Sequence, residues 1–82
     1  MEINMSDLEI YNSVFIEIFN VDKDELKTLA HHETAEWDSL THMALIAHLE
    51  DKMGIMIEID DIIDFTSYEK GLSILRAYGK NL

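Results

Sequence analysis

One serine in this sequence stands where its hydroxyl could do chemistry. Ser39 lies in the stretch EWDSL, after Trp37 and Asp38 and directly before the longest helical pattern in the chain. A serine at the start of a helix could cap that helix, act as a nucleophile, or carry a covalently attached group. Capping is the ordinary expectation, because serine and aspartate are both favoured at N-caps. The other two roles need support from the rest of the sequence.

A hydrolytic nucleophile finds little support around Ser39. Such a serine would need a strained G-x-S-x-G turn and an oxyanion hole, but no glycine flanks Ser39 and the chain is too short for an α/β-hydrolase sheet. An attached phosphodiester fits better, because a helix N-terminus directs N–H groups and a partial positive charge at an anion. Asp38 would partly repel that anion, so we assign Asp38 to the Mg²⁺ site of an attaching enzyme.

The four histidines raise the possibility of a metal site. His31 and His32 lie next to Glu33 in a polar segment, whereas His42 and His48 fall within the helical pattern. Residues six apart on a helix are rotated by about 600°, so His42 and His48 point in different directions. No set of residues has the spacing of metal ligands, and we predict no metal site.

The hydrophobic spacing predicts the elements that position Ser39. Ser6 and Glu9 have the spacing of a capping box, and an apolar helical face follows as far as Phe19. Residues 20–38 form a polar connection with a short helical turn near residues 24–29, and a loop beyond roughly 12–15 residues is often functional. A second helix is expected from Ser39 to Met53, with Gly54 as its C-terminal cap.

The remainder of the chain predicts two further helices and no sheet. The apolar run 55–59 has no partner strand, so we interpret it as an extended connector packed on the helices. Residues 60–64 form a short helix, and Thr66 or Ser67 caps a last helix that frays near Gly79. The predicted fold class is therefore all-α, with three longer helices and one short helix.

The second helix carries two apolar stripes on nearly opposite sides. The larger residues Leu45, Ile46, Leu49 and Met53, with His42 alongside, form one stripe. The second stripe is made of the residues Leu40, Met43, Ala44 and Ala47, and it continues towards Glu50 and Asp51. Both stripes could be buried, but a small domain has few helices with which to cover them. We expect the first stripe to lie in the core and the second to be an exposed docking surface.

Composition narrows the range of functions. The chain has 82 residues, no cysteine and a formal charge of −11, so one small domain is expected, and any thiol must come from a non-protein group. The charge argues against nucleic acid and membrane surfaces and favours partners with basic patches. No run of about 20 apolar residues and no signal-peptide pattern is present, so we expect a cytoplasmic protein.

These motifs together resemble the acyl carrier protein family, whose members are phosphopantetheine-binding domains. The resemblance rests on DSL at a helix start, on the following LIAHLEDKMGIMIEIDDI and on the capped TSYEKGLSIL, and it runs from Ser6 to Ala77. It implies a small four-helix bundle of the acyl-carrier type, formed by residues 1–82 as a single domain with frayed last residues. Such a domain is expected to be a monomer.

The resemblance implies that the protein carries an acyl or aminoacyl group between enzymes. A phosphopantetheinyl transferase, using coenzyme A and Mg²⁺, would attach 4′-phosphopantetheine to Ser39. The thiol of this arm would hold an acyl or aminoacyl group as a thioester for acyl-loading and acyl-transfer enzymes with basic docking patches. The protein itself would catalyse nothing. Fatty acid and secondary metabolite biosynthesis both use such carriers.

The resemblance also assigns individual residues. Asp38, Ser39 and Leu40 match the attachment motif, and Glu50 and Asp51 match an acidic pair that meets basic partner residues. The family's core or acyl-sheltering positions correspond to Leu45, Ile46, Leu49, Ile57, Ile62, Phe65 and Tyr68. The rings of Phe65 and Tyr68 reduce the sheltered space, so we expect short or polar cargo.

The sequence departs from the carriers of central fatty-acid synthesis before and after DSL. Trp37 replaces a small residue, and THMA at residues 41–44 replaces an early acidic residue. This context is more similar to free-standing carriers of secondary or saccharide-modifying pathways. Trp37 itself is expected to be a core anchor of the long loop. An alternative function is a non-covalent, acidic helical interaction module, which would use the same exposed stripe but would not need the Ser39 hydroxyl.

Overall fold

The computed structural model describes residues 5–31 and 34–82 of the chain. Within these ranges the protein is all-α, as predicted, with no strand and one isolated antiparallel bridge between Ala30 and Ser67. The helical segments are α1 (Asp7–Phe19), a 3₁₀ helix (Lys23–Thr28), α2 (Ser39–Met53), α3 (Ile59–Asp64) and α4 (Tyr68–Arg76).

Local signals in the sequence set the ends of α1. The Ser6 hydroxyl accepts the Glu9 N–H at 3.1 Å, and the Glu9 carboxylate accepts the Ser6 N–H at 3.0 Å, which completes the predicted capping box. The helix ends at Asn20, whose φ of 52° lies in the left-handed region that asparagine tolerates.

The segment between α1 and α2 is held by short-range and long-range hydrogen bonds. The predicted turn is the 3₁₀ helix, and the Thr34 hydroxyl accepts the Ala30 N–H at 3.0 Å. His31 N–H donates to the Thr66 carbonyl at 2.8 Å, and Tyr68 N–H donates to the Leu29 carbonyl. The loop before Ser39 is therefore joined to the start of α4.

Helix α2 has the two faces that its periodicity predicts. It ends where Gly54 adopts a φ of 64° and donates its N–H to the Glu50 carbonyl. The buried face consists of His42, Leu45, Ile46, Leu49 and Met53. The opposite face is exposed and consists of Leu40, Met43, Ala44 and Ala47. The expected exposure of the second stripe is therefore confirmed, and the alternative in which both stripes are buried is wrong; its use in docking stays a prediction.

Helix α3 is short and none of its residues is buried. It begins after the non-helical connector 55–58, one residue earlier than the sequence predicts. The Tyr78 hydroxyl accepts the Glu58 N–H at 2.8 Å and donates to Asp61 Oδ2 at 2.6 Å. This bond to Asp61 raises the pKa of Tyr78 above its ordinary value. The segment after α4 therefore holds α3 in place at its N-terminal end.

Aromatic rings fill the centre of the domain. They belong to Tyr11, Phe15, Phe19, Trp37, Phe65 and Tyr68, all of which are buried. The Tyr11 hydroxyl donates to the Tyr68 carbonyl at 2.7 Å, and burial raises the pKa of Tyr11. The hydroxyl is thus satisfied inside the core, and close-packed rings leave little space for another group there.

Candidate functional site

At the N-terminus of α2, the residue that caps the helix is not the residue that carries the candidate hydroxyl. Asp38 is the N-cap residue, and its Oδ1 accepts the Thr41 N–H at 2.8 Å. Ser39 is the first helical residue and is exposed. Its hydroxyl makes no hydrogen bond to any residue in the ranges 5–31 and 34–82. Asp38 therefore caps the helix, and the Ser39 oxygen faces solvent without a structural task.

A cleft of about 460 Å³ adjoins Ser39. This volume lies within the range of about 300–1,000 Å³ that is usual for small-molecule sites. The cleft lies between the first turn of α2 and helix α3, and its lining is mainly apolar. The lining residues are His31, Ser39, His42, Met43, Ile59, Ile62, Ile63 and Thr66.

His42 forms the inner part of this lining. Its Nδ1 accepts the Trp37 Nε1–H at 2.9 Å, and its Nε2 lies 2.7 Å from the Ile62 carbonyl oxygen. An indole N–H can only donate and a carbonyl can only accept, so Nε2 carries the imidazole proton and donates it to Ile62. The ring is 8% exposed and is fixed from both sides.

The second imidazole of the cleft lies against the first. The rings of His31 and His42 stack with their centroids 5.0 Å apart. No group of three or more potential metal ligands occurs in the described part of the chain, while His32 and Glu33 lie outside it. Because both nitrogens of His42 are already hydrogen-bonded, this residue has no lone pair left for a metal ion.

The residues assigned to partner docking differ in their exposure. Leu40 is 84% exposed and Met43 is 56% exposed, and Met43 also lines the cleft. Ala44, Ala47 and Asp51 are exposed as well. Glu50 is only half-buried, and its Oε2 accepts the Ile57 N–H at 2.9 Å. The Glu50 carboxylate thus holds the connector after α2, whereas the side chains of the other five residues make no hydrogen bond within the described part of the chain.

The residues assigned to the core or to an acyl shelter separate into two groups. Leu45, Ile46, Leu49, Ile57, Phe65 and Tyr68 are buried in the core. Ile62 lines the cleft instead. The sequence reasoning missed Ile59 and Ile63, which lie four residues apart on α3 and are largely exposed on the same wall. Their spacing of four residues indicates that they share one face of α3, but nothing in the neighbouring sequence indicates that this face lies opposite Ser39.

The cap formed by Asp38 predicts how the stability of the protein changes at acidic pH. The backbone N–H of Thr41 donates to the Asp38 carboxylate and holds its pKa below its ordinary value of about 3.9. A lowered pKa in the folded state stabilises the protein above the unfolded value, and this stabilisation is lost as the pH falls through the folded value. We therefore expect the wild type to lose stability relative to Asp38→Asn as the pH falls below about 4.

Urea unfolding of the two proteins, followed by circular dichroism at a series of pH values, checks this expectation. Asparagine retains a cap acceptor but does not titrate, so the other carboxylates contribute equally to both proteins. A stability difference that does not change between neutral and acidic pH would contradict the assignment of the cap to the Asp38 carboxylate.

The exposed hydroxyl of Ser39 and the apolar cleft lie at the N-terminal end of α2, where the exposed stripe of that helix begins. A hydroxyl in this position is accessible to a second protein, and the stripe offers that protein an apolar surface. No helix in the described ranges is long and apolar enough to cross a membrane. Comparisons of the chain with protein-family models, with curated proteins and with solved structures gave no significant match.

Proposed function

We propose that this protein is a carrier that holds an acyl or aminoacyl group as a thioester on a 4′-phosphopantetheine arm attached to Ser39. The observation that supports the proposal most directly is that the helix cap and the exposed hydroxyl belong to different residues at the start of α2. Asp38 caps the helix, so the Ser39 hydroxyl is exposed and without a hydrogen bond in the described part of the chain. The proposal includes the four-helix arrangement of the acyl-carrier type.

The attachment reaction needs only an accessible hydroxyl from this chain. The Ser39 oxygen attacks the phosphorus next to the pantetheine in the pyrophosphate of coenzyme A, and a P–O bond forms as the pyrophosphate P–O bond breaks. Adenosine 3′,5′-bisphosphate leaves, and the serine proton passes to a base of the transferase. The arm supplies the thiol that a chain without cysteine lacks. Asp38, which lies beside the hydroxyl, is placed to contribute to the Mg²⁺ site of the transferase.

The exposed stripe and its acidic flank support a carrier that is handed between enzymes. Leu40 and Met43 offer flexible apolar side chains next to Ser39, and Asp51 is exposed further along α2. With a net charge of −11, the carrier would be drawn to basic patches on its partners. The carrier catalyses no step, and its specificity resides in docking and in the fit of the cargo.

Intact-mass measurement tests the proposal. The protein is incubated with coenzyme A, Mg²⁺ and a broad-specificity phosphopantetheinyl transferase. We expect the wild type to gain the mass of one phosphopantetheine group and Ser39→Ala to gain none. Ser73→Ala is the matched control, because Ser73 is also exposed on a helix but lies on α4, and it should be modified like the wild type.

A wild type that gains no mass would contradict the carrier function, and a Ser39→Ala variant that gains it would contradict the site. The exposed stripe also supports the alternative of a non-covalent acidic interaction module. That module would bind a basic partner equally well with alanine at position 39. Unmodified wild type together with partner binding that survives Ser39→Ala would favour this alternative.

A further inference from the structure

His42 occupies an unusual place for a histidine in an apolar lining. It separates the cleft beside Ser39 from the buried rings of Trp37 and Phe65, which lie 6.0 and 6.4 Å from its own ring between centroids. It is the one histidine buried in the described core, and both ring nitrogens are hydrogen-bonded. The ring therefore cannot turn aside without breaking one buried and one partly buried hydrogen bond.

We propose that His42 is a specificity-determining residue that closes the inner end of the cleft and so limits the chain length of the cargo. The proposal rests on the carrier function proposed above and assigns the cargo to a class: an uncharged acyl group with a short apolar chain. A chain that enters past Ser39 lies against Ile59, Ile62 and Ile63 and ends at the His42 side chain.

The walls of the cleft support an apolar chain. Met43, Ile59 and Ile63 are 56%, 72% and 67% exposed, so a chain lying against them would remove their surface from water as well as its own. Each methylene group that leaves water makes burial of the chain more favourable, so longer chains bind better until they reach the closed end.

Charge argues against an ionised cargo. No lysine or arginine lines the cleft, and α3 carries Asp60, Asp61 and Asp64 beside the isoleucines of the wall. A carboxylate on the cargo would lie near these acidic side chains without a lysine or arginine of the lining to pair with. An ammonium group would be attracted by the net charge, but it would lose hydration against an apolar lining.

The position of the closed end explains why the chain must be short. Beyond His42 the rings of Trp37 and Phe65 are about 1% and 0% exposed, and they pack with Phe15 in the centre of the domain. A longer chain would have to displace the imidazole or these rings. The carbons of a longer chain that do not fit between Ser39 and His42 therefore remain in water, where they contribute nothing to binding.

The lack of cysteine allows a test that needs neither coenzyme A nor a transferase. Ser39→Cys introduces the single thiol of the chain, and alkyl methanethiosulfonates attach chains from ethyl to decyl to it as mixed disulfides. The melting temperature is measured for each chain length. We expect it to rise by about 3 °C for each methylene group that leaves water and then to level off at a short chain.

His42→Asn in the same background tests the residue itself. Asparagine is shorter but still offers an oxygen to the Trp37 N–H, so the cleft deepens while that hydrogen bond can persist. We expect the melting temperature to level off at a longer chain than with His42. His48→Asn, on the exposed side of α2, is the matched control and should not change the chain length at which the melting temperature levels off. Comparing chain lengths within one variant cancels any general loss of stability.

Methyl NMR spectra locate the chain in the Ser39→Cys protein. The methyl signals of Ile59, Ile62 and Ile63 should shift with the attached chain, and those of Leu40 should not. A melting temperature that is independent of chain length, that keeps rising through decyl with His42 present, or that levels off at the same chain with asparagine would overturn the proposal. Failure here leaves the mass measurement on Ser39 unaffected, so the two proposals fail separately.

Discussion

Gly71→Ala should destabilise the protein by about 3 kcal/mol, although alanine is the better helix former. Gly71 lies inside α4 and is buried, and a Cβ atom there would overlap the Phe65 ring and the Tyr11 hydroxyl. Tyr11 is held by its hydrogen bond to the Tyr68 carbonyl and Phe65 is fully buried in the core, so neither neighbour can withdraw easily. The loss is large compared with the roughly 5–15 kcal/mol of a typical domain. Urea unfolding followed by circular dichroism measures it.

Two comparisons isolate the cause of this loss. Ser73→Ala adds no atoms to the core, because Ser73 is on the exposed side of the same helix, and it should change stability little. Tyr11→Phe removes one of the two overlapping groups, so the double variant with Gly71→Ala should lose less than the sum of the single variants. Strict additivity would show that the Tyr11 hydroxyl does not cause the loss, and a Gly71→Ala protein as stable as the wild type would show that α4 moves away from α1 without cost.

The helices of this protein were largely predictable because their ends carry local chemistry. Ser6 and Glu9 cap α1, and Gly54 ends α2 in a left-handed conformation that favours glycine. The exposed stripe of α2 also followed from periodicity, since a domain of this size has too few helices to cover both faces. In each case the signal and the structure it sets are neighbours in the sequence.

Part of the candidate site could not be predicted, because it depends on contacts between distant segments. The sequence placed Ser39 at the start of a helix, but Asp38 or Ser39 could have been the cap, and only the backbone geometry assigns that task to Asp38. The cleft requires α3 to lie beside the first turn of α2. The hydrogen bonds that Tyr78 makes at the start of α3 come from beyond α4, and no local pattern encodes them.

The same distinction separates two features of Trp37. Its role as a core anchor follows from its type and is confirmed, because it is 1% exposed and packs on Phe15 and Phe19. Its hydrogen bond to His42 was not predicted, although the two residues are only five apart. The bond forms because the chain turns into α2 between them, which brings the indole N–H to the buried face of the helix.

Trp37→Ala should therefore cost about 3–5 kcal/mol, which is the range for truncating a buried aromatic residue. The indole contributes ring contacts to the core and the only donor to His42 Nδ1 in the described part of the chain. Because this is the only tryptophan, unfolding in urea is followed by circular dichroism rather than by fluorescence. A loss below about 1 kcal/mol would contradict its role as the anchor of the loop before Ser39.

Trp37→Phe separates packing from hydrogen bonding. Phenylalanine keeps an aromatic ring but lacks the N–H, so we expect a smaller loss of about 1–3 kcal/mol, typical of a buried acceptor left without its donor. The imidazole ¹⁵N shifts of His42 supply the second measurement. In the wild type they should report a proton on Nε2 alone, because Trp37 occupies Nδ1. In both variants Nδ1 loses its donor, so its ¹⁵N shift should move away from the hydrogen-bonded value, while Nε2 keeps its proton because the Ile62 carbonyl can only accept. The imidazole is then held from one side only, and the closed end of the cleft beside Ser39 should loosen. An Nδ1 shift that is unchanged in Trp37→Phe would contradict the hydrogen bond from Trp37 to His42.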